Sequence, residues 1–214
     1  MMPVRIERLL TIDGDRASLD RIAHRDAALA IWWRPLPEPL RLALGRLDLS
    51  TIDDVSETID AFGSVVAALR IAGYPVGVRD LLAADIDLLL RRHAALTGDD
   101  RLAVRLQTTT AAPDDRFRAD RGGLRLVCTY VGPGTEWCCV DGQDAICEVP
   151  TGAVGVFKGR ALLDPPAILH RSPPCGGRHD YRLRLTIDPP QGCGIDAPRD
   201  RAPGHDRYRT LRRS

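Results

Sequence analysis

Two rhythms of apolar residues divide the chain. Before residue 98 they recur at steps of three and four, the period of a helix with one buried face. Val55, Ile59, Phe62, Val66 and Leu69 follow that step and predict a helix that Gly73 and Pro75 stop. A second helix is expected from Asp80, a good N-cap, with Leu82, Ile86, Leu89 and His93 in line and Thr97-Gly98 at its end. His93 lies on that apolar stripe with no second ligand one turn away, which makes it a core histidine. Upstream, Pro37-Glu38-Pro39 opens a helix with Leu40, Leu44 and Leu47 on one face. The run Ala28 to Trp33, between Asp26 and Arg34-Pro35, reads as a short strand at a sheet edge. Asp53, Asp54, Asp60, Asp85 and Asp87 read as the wet sides of these helices.

After Gly98 apolar and polar residues alternate. Leu102, Val104 and Leu106 share one face of a strand ending in Thr108-Thr109-Thr110, and Leu124, Leu126, Cys128 and Tyr130 share another. Shorter strands are expected at Ala145 to Val149, Ala153 to Lys158, Ala167 to His170 and Tyr181 to Ile187. Gly- and Pro-bearing turns separate them, among them Gly132-Pro133-Gly134 and Asp164-Pro165-Pro166. Strands this closely spaced, with no helix between them, form an antiparallel sandwich or barrel. The class is α+β, with helices over 36–97, strands over 101–188 and one domain over 1–188. From Pro189 the composition turns to Pro, Gly, Asp and Arg, and residues 189–214 are expected to be a disordered tail.

Composition narrows the function classes. Thirty basic and twenty-nine acidic residues leave a net charge of +1, so no overall field draws nucleic acid or an anionic membrane. The bases are arginines except Lys158, a bias that runs along the whole chain. A charged amino terminus and the lack of a run of about 18 apolar residues predict a cytoplasmic protein. The six cysteines include no C-x-x-C pair, against a structural zinc ribbon; Cys175, beside two glycines, is an exposed thiol candidate. With no glycine elbow around Ser172 and no Gly-rich phosphate loop, hydrolase and nucleotide-binding classes rank low.

Candidate chemistry gathers late in the chain. In the last strand Tyr181, Leu183, Leu185 and Ile187 share one face, and Arg182, Arg184 and Thr186 the other. If the leucines meet the helices, the arginines look into the barrel, where a guanidinium needs a carboxylate or a bound anion. His170 ends an apolar strand before an Arg-Ser-Pro-Pro turn. Asp120 and Glu136 flank the strand before it in sequence, and each could equally serve a turn or a salt bridge with Arg121 or Arg125. His24 and His205 read as surface residues.

The order Asp120, His170, then Arg182 or Arg184 resembles that of the double-stranded β-helix (cupin-like) oxygenases that use Fe(II) and 2-oxoglutarate. That resemblance implies two imidazoles and a carboxylate on one face of the iron, and an arginine on the cosubstrate carboxylate. Arg118 stands where the first histidine belongs, and a guanidinium does not ligate iron.

A second resemblance rests on longer runs. Phe117-Arg118-Ala119-Asp120, Arg125 through Trp137 with its Thr-Tyr-x-Gly-x-Gly-Thr-Glu-Trp motif, Gly152 through Gly159, and His170-Arg171-Ser172-Pro173-Pro174, with Ala30 to Arg34 upstream, resemble the bacterial family known as domain of unknown function 1826. The family implies no settled activity; its pattern has histidine at the place of Arg118. Three readings follow. The first is an oxygenase-like enzyme holding a metal on Asp120 and His170 and a 2-oxo acid on Arg182 or Arg184, with Glu136 as a further ligand. The second is a non-catalytic binding module in which Arg118 pairs with Asp120. The third is a zinc-handling accessory protein with Asp120, Glu136, His170 and His179 as ligands. The expected partner is a small molecule or a metal ion.

Overall fold

Pro75 decides where the long helix begins. Having no N–H to leave unbonded, it stands at the N-cap with φ −59°, and the helix runs from Val76 to Thr97 until Gly98, left-handed at φ +76°, ends it. The start expected at Asp80 is therefore one turn late: the proline expected to end one helix opens the next.

The computed structural model describes residues 9–109, 116–173 and 181–190, without the side chains of 142–144. The strands are β1 (Leu10–Asp13), β2 (Leu29–Trp32), β3 (Val55–Asp60), β4 (Arg101–Thr109), β5 (Leu124–Val131), β6 (Thr135–Cys139), β7 (Gly142–Val149), β8 (Val154–Lys158), β9 (Ile168–Arg171) and β10 (Arg182–Asp188). The α-helices are α1 (Glu38–Leu44), α2 (Val66–Ile71) and α3 (Val76–Thr97), with 3-10 turns at Arg16–Ala23 and Leu49–Thr51. Residues 191–214 of the expected tail, which include His205, and also Cys175 and His179 lie outside the described residues.

The strands form a seven-stranded sheet in the order β1-β2-β8-β5-β10-β4-β3 and a three-stranded sheet in the order β7-β6-β9. Pairing is antiparallel except for β1 with β2. The strand at 28–33 was expected at an edge, but β2 lies between β1 and β8.

The helix expected at 55–69 is a strand followed by a short helix. Val55 and Ile59 are four apart, a step that returns to the same side of a helix and also of a strand. The β-branched Val55, Thr58 and Ile59 favour the strand, and β3 pairs along its whole length with β4. Phe62 is left 87% exposed.

Strand alternation divides the side chains of the large sheet. Leu102, Val104, Leu106, Leu126, Cys128, Tyr130, Val156, Leu183, Leu185 and Ile187 belong to one core with Leu40, Leu82, Ile86 and Leu89 of the helices. Each such leucine, fully buried, contributes about 1.5–3 kcal/mol. Their neighbours point the other way, where Leu29, Ile31, Val127 and Phe157 meet Trp137, Val149 and Ile168 of the small sheet in a second core. Arg182 and Arg184 are in the phase of this second side, which we call the interior.

One acid breaks the pattern expected of helix aspartates. Asp85 on α3 is buried, takes Arg34 in two bonds of 2.5 and 2.8 Å, and accepts from the Tyr130 hydroxyl at 2.7 Å. It ties helix to sheet and does not face water.

Candidate functional site

Arg118 pairs with the edge of β9: its N–H donates to the His170 carbonyl at 3.0 Å, and the His170 N–H returns the bond at 2.9 Å. On the other edge of β9, His170 is in register with Trp137, and Arg171 with Glu136. Alternation then puts Arg118, Trp137 and His170 on one face of the small sheet, and Phe117, Glu136 and Arg171 on the other. The side chains agree: Arg171 Nε donates to Glu136 Oε2 at 2.6 Å, and its guanidinium lies 4.3 Å from the Phe117 ring. Glu136 is thus not brought to Asp120 and His170.

Asp120 and His170 do meet, fifty residues apart in sequence. His170 Nε2 lies 2.9 Å from Asp120 Oδ2, with the imidazole packed on Phe157 at 4.7 Å between ring centres. The other Asp120 oxygen accepts from Arg125 Nη1. Arg125 in turn donates to buried Asp188 at 2.7 and 3.1 Å, and Asp188 also accepts from Arg105. A hydrogen-bonded chain therefore runs from His170 into the charges of Asp120, Arg125, Asp188 and Arg105. Burial alone would push the Asp120 carboxyl up. The bond to His170 and the charges of His170, Arg125 and Arg118 outweigh it and hold the carboxyl down at about 2. Asp120 is hydrogen-bonded to Arg125 and His170, and the charge of Arg118 acts on the same carboxylate.

Arg182 is the largest polar side chain among the described residues to be almost wholly buried, at 1% exposure. Its Nε donates to the Pro133 carbonyl at 2.8 Å, Nη1 to Ser172 Oγ at 3.0 Å, and Nη2 to Thr129 and Thr135 hydroxyls at 3.2 and 2.8 Å. The expected glycine turn delivers that carbonyl. Gly132 holds φ +80°, and a Cβ there would lie 2.6 Å from the Tyr181 carbonyl oxygen, so a larger residue could not bring the turn this close to Arg182. Arg184 is half-buried on the same side of β10, opposite Gln107 and Thr129. A cleft of about 450 Å³, lined by Ser56, Thr58, Arg101, Ala103 and Arg105 among others, lies over β3 and β4 and shares Arg105 with the chain of charges.

These residues do not fit an iron held by two imidazoles and a carboxylate. One imidazole and one carboxylate converge, Arg118 brings a guanidinium that does not ligate iron, and no group of three His, Cys, Asp or Glu able to hold a metal occurs among the described residues. Arg182 gives four hydrogen bonds to one carbonyl and three hydroxyls, so a carboxylate would reach the guanidinium only by displacing some of them. Sequence reasoning missed Thr129, Thr135, Ser172, Arg105 and Asp188. Thr129, Arg105 and Asp188 sit on the polar phase of strands whose apolar phase is plain in the sequence.

Comparison with known proteins agrees with this architecture. The dioxygenase for auxin oxidation of rice superposes with a TM-score of 0.50 at 14% identity, over 85% of this chain and 83% of that one. A prolyl-4-hydroxylase of Pseudomonas putida gives 0.45 at 19% identity, over 80% and 96%. A full-length Neurospora crassa protein in complex with alpha-KG gives 0.46 at 12%, over 84% and 82%. At such identities the rice protein shows the fold alone: a mixed α+β fold of two sheets and helices resembling that of a dioxygenase. No curated protein matches the sequence. The family described as protein of unknown function DUF1826 matches residues 13–188, and the chain belongs to that family.

Proposed function

We propose that this protein is a binding module on an oxygenase fold, closed as a double-stranded β-helix, that seats a small carboxylic acid on Arg182 and has lost the iron triad. The observation that supports the reading is the meeting of Asp120 with His170 and Arg125, with Arg118 paired through its backbone to His170. The groups left to bind a metal are bonded to one another. At the Arg182 end the guanidinium rests on the Pro133 carbonyl and three hydroxyls, and an acid bound there would exchange with those hydroxyls.

A second reading has a specific observation behind it. The 2.9 Å between His170 Nε2 and Asp120 Oδ2 is also the separation of two neighbouring ligands on one ion with bonds of about 2.0–2.2 Å. In that reading zinc or Fe(II) binds to these two residues. Anaerobic titration with Fe(II) followed by 2-oxoglutarate separates the two. The binding module gives no metal-to-ligand absorption band and gains one, with tighter metal binding, in Arg118→His. A band in the unaltered protein overturns it, and tight zinc binding without a band favours the metal-handling alternative.

A further inference from the structure

The interior contains a hydrogen-bond donor that the fold does not use. Trp137 is 5% exposed, and its Nε1–H is buried with no acceptor among the described residues, although the indole stands on the same face of the small sheet as His170. The contrast with Trp32 is direct: that indole, nearer the surface, donates to the Gly14 carbonyl at 3.1 Å. A buried donor with nothing to bond is costly, and such groups in native proteins commonly await a water or a ligand. Phenylalanine would fill the place without that cost, since the wall around the ring is apolar: Val127, Phe157 and Ile168.

Register connects this donor to the Arg182 site. Thr135, which accepts from Arg182, lies two residues before Trp137 on the same face of β6, and Ser172, another acceptor, follows directly after the end of β9, two residues beyond His170. Two residues of strand advance about 6–7 Å. Trp137 therefore stands about that far along β6 from the residue that holds the Arg182 guanidinium, which is the scale of a short acid with an acceptor at each end. We infer that Trp137 Nε1–H is a ligand-binding group, and that the interior takes a short two-ended acid, one end on the Arg182 guanidinium and the other accepting from the indole. This rests on the reading that Arg182 seats a carboxylate; it adds the second contact and the class of acid.

Calorimetric titration of the full chain with 2-oxoglutarate, glutarate and the one-ended valerate tests it. The expected pattern is tighter binding of the two diacids than of valerate. Trp137→Phe should weaken the diacids about tenfold, the loss of one hydrogen bond to a charged acceptor, and leave valerate unchanged. Arg182→Ala should weaken all three. Should Trp137→Phe bind the diacids as well as the unaltered protein while Arg182→Ala does not, the inference fails and the Arg182 reading stands. Binding of none of the acids by the unaltered protein sinks both. The side-chain N–H resonance of Trp137 in the unaltered protein gives a readout independent of any variant's folding. It should move on saturation with glutarate and not with valerate, and no movement with glutarate contradicts the assignment.

Discussion

The two faces of the seven-stranded sheet are built from alternate residues of the same strands, yet they do different work. On β10 the helix-covered face takes Leu183, Leu185 and Ile187, and the interior takes Arg182, Arg184, Thr186 and Asp188. Among the described residues the helix side buries the ion pair of Arg34 with Asp85, closed by Tyr130, within a core that is otherwise largely apolar. The interior is apolar at its Trp137–Phe157 end and charged from Asp120 to Arg105. Burying charge does little for stability, since a well-packed apolar group of the same volume often does as well or better.

The comparison can be broken at several points. The largest effect belongs to Asp85→Ala, which leaves the Arg34 guanidinium buried without its carboxylate; unfolding by urea should show a loss of about 3–5 kcal/mol with acid binding unchanged. Acid binding that falls with it would mean that the two faces are not separable.

The two faces also titrate in different windows. His93, on the helix side, is held down at about 4, chiefly by burial. Its folded value lies below the unfolded value near 6.5, so the unfolded chain takes the proton first and stability falls as pH drops from about 6.5 to 4, by about 3 kcal/mol in all. His93→Leu should flatten that slope in urea midpoints measured against pH. Asp120, in the interior, is held at about 2 against an unfolded value near 3.9. Its contribution is present above about pH 4 and is lost as pH falls toward 2, about 2 kcal/mol, and Asp120→Asn should remove that lower step alone. A variant that abolished both steps would join what the structure separates. The smallest effect is that of Tyr130→Phe, about 1 kcal/mol for one hydrogen bond to Asp85, seen in the same unfolding curves.

Much of this was legible in the sequence because alternation is a local property. Leu183, Leu185 and Ile187 against Arg182 and Arg184 reads directly as two faces, and only the choice of which face met the helices needed the third dimension. The acid, the lone histidine and the arginine were legible as an order along the chain. Glu136 was not, because whether it joins His170 depends on a register of one residue between β6 and β9, which composition does not encode. Asp85 looked like any surface acid of a helix until Arg34, fifty-one residues away, was found opposite it. Val55 and Ile59 misled because a spacing of four satisfies both periods. The unused indole of Trp137 had no sequence signal at all; it is a property of what the neighbours fail to offer.

The central claim, that the interior seats an acid on Arg182 without iron, meets its most direct test in calorimetric titration of 2-oxoglutarate into the chelator-treated protein, repeated with Fe(II) present. The account predicts saturable binding that is lost in Arg182→Ala and indifferent to the metal. Binding that appears only when Fe(II) is added would contradict it.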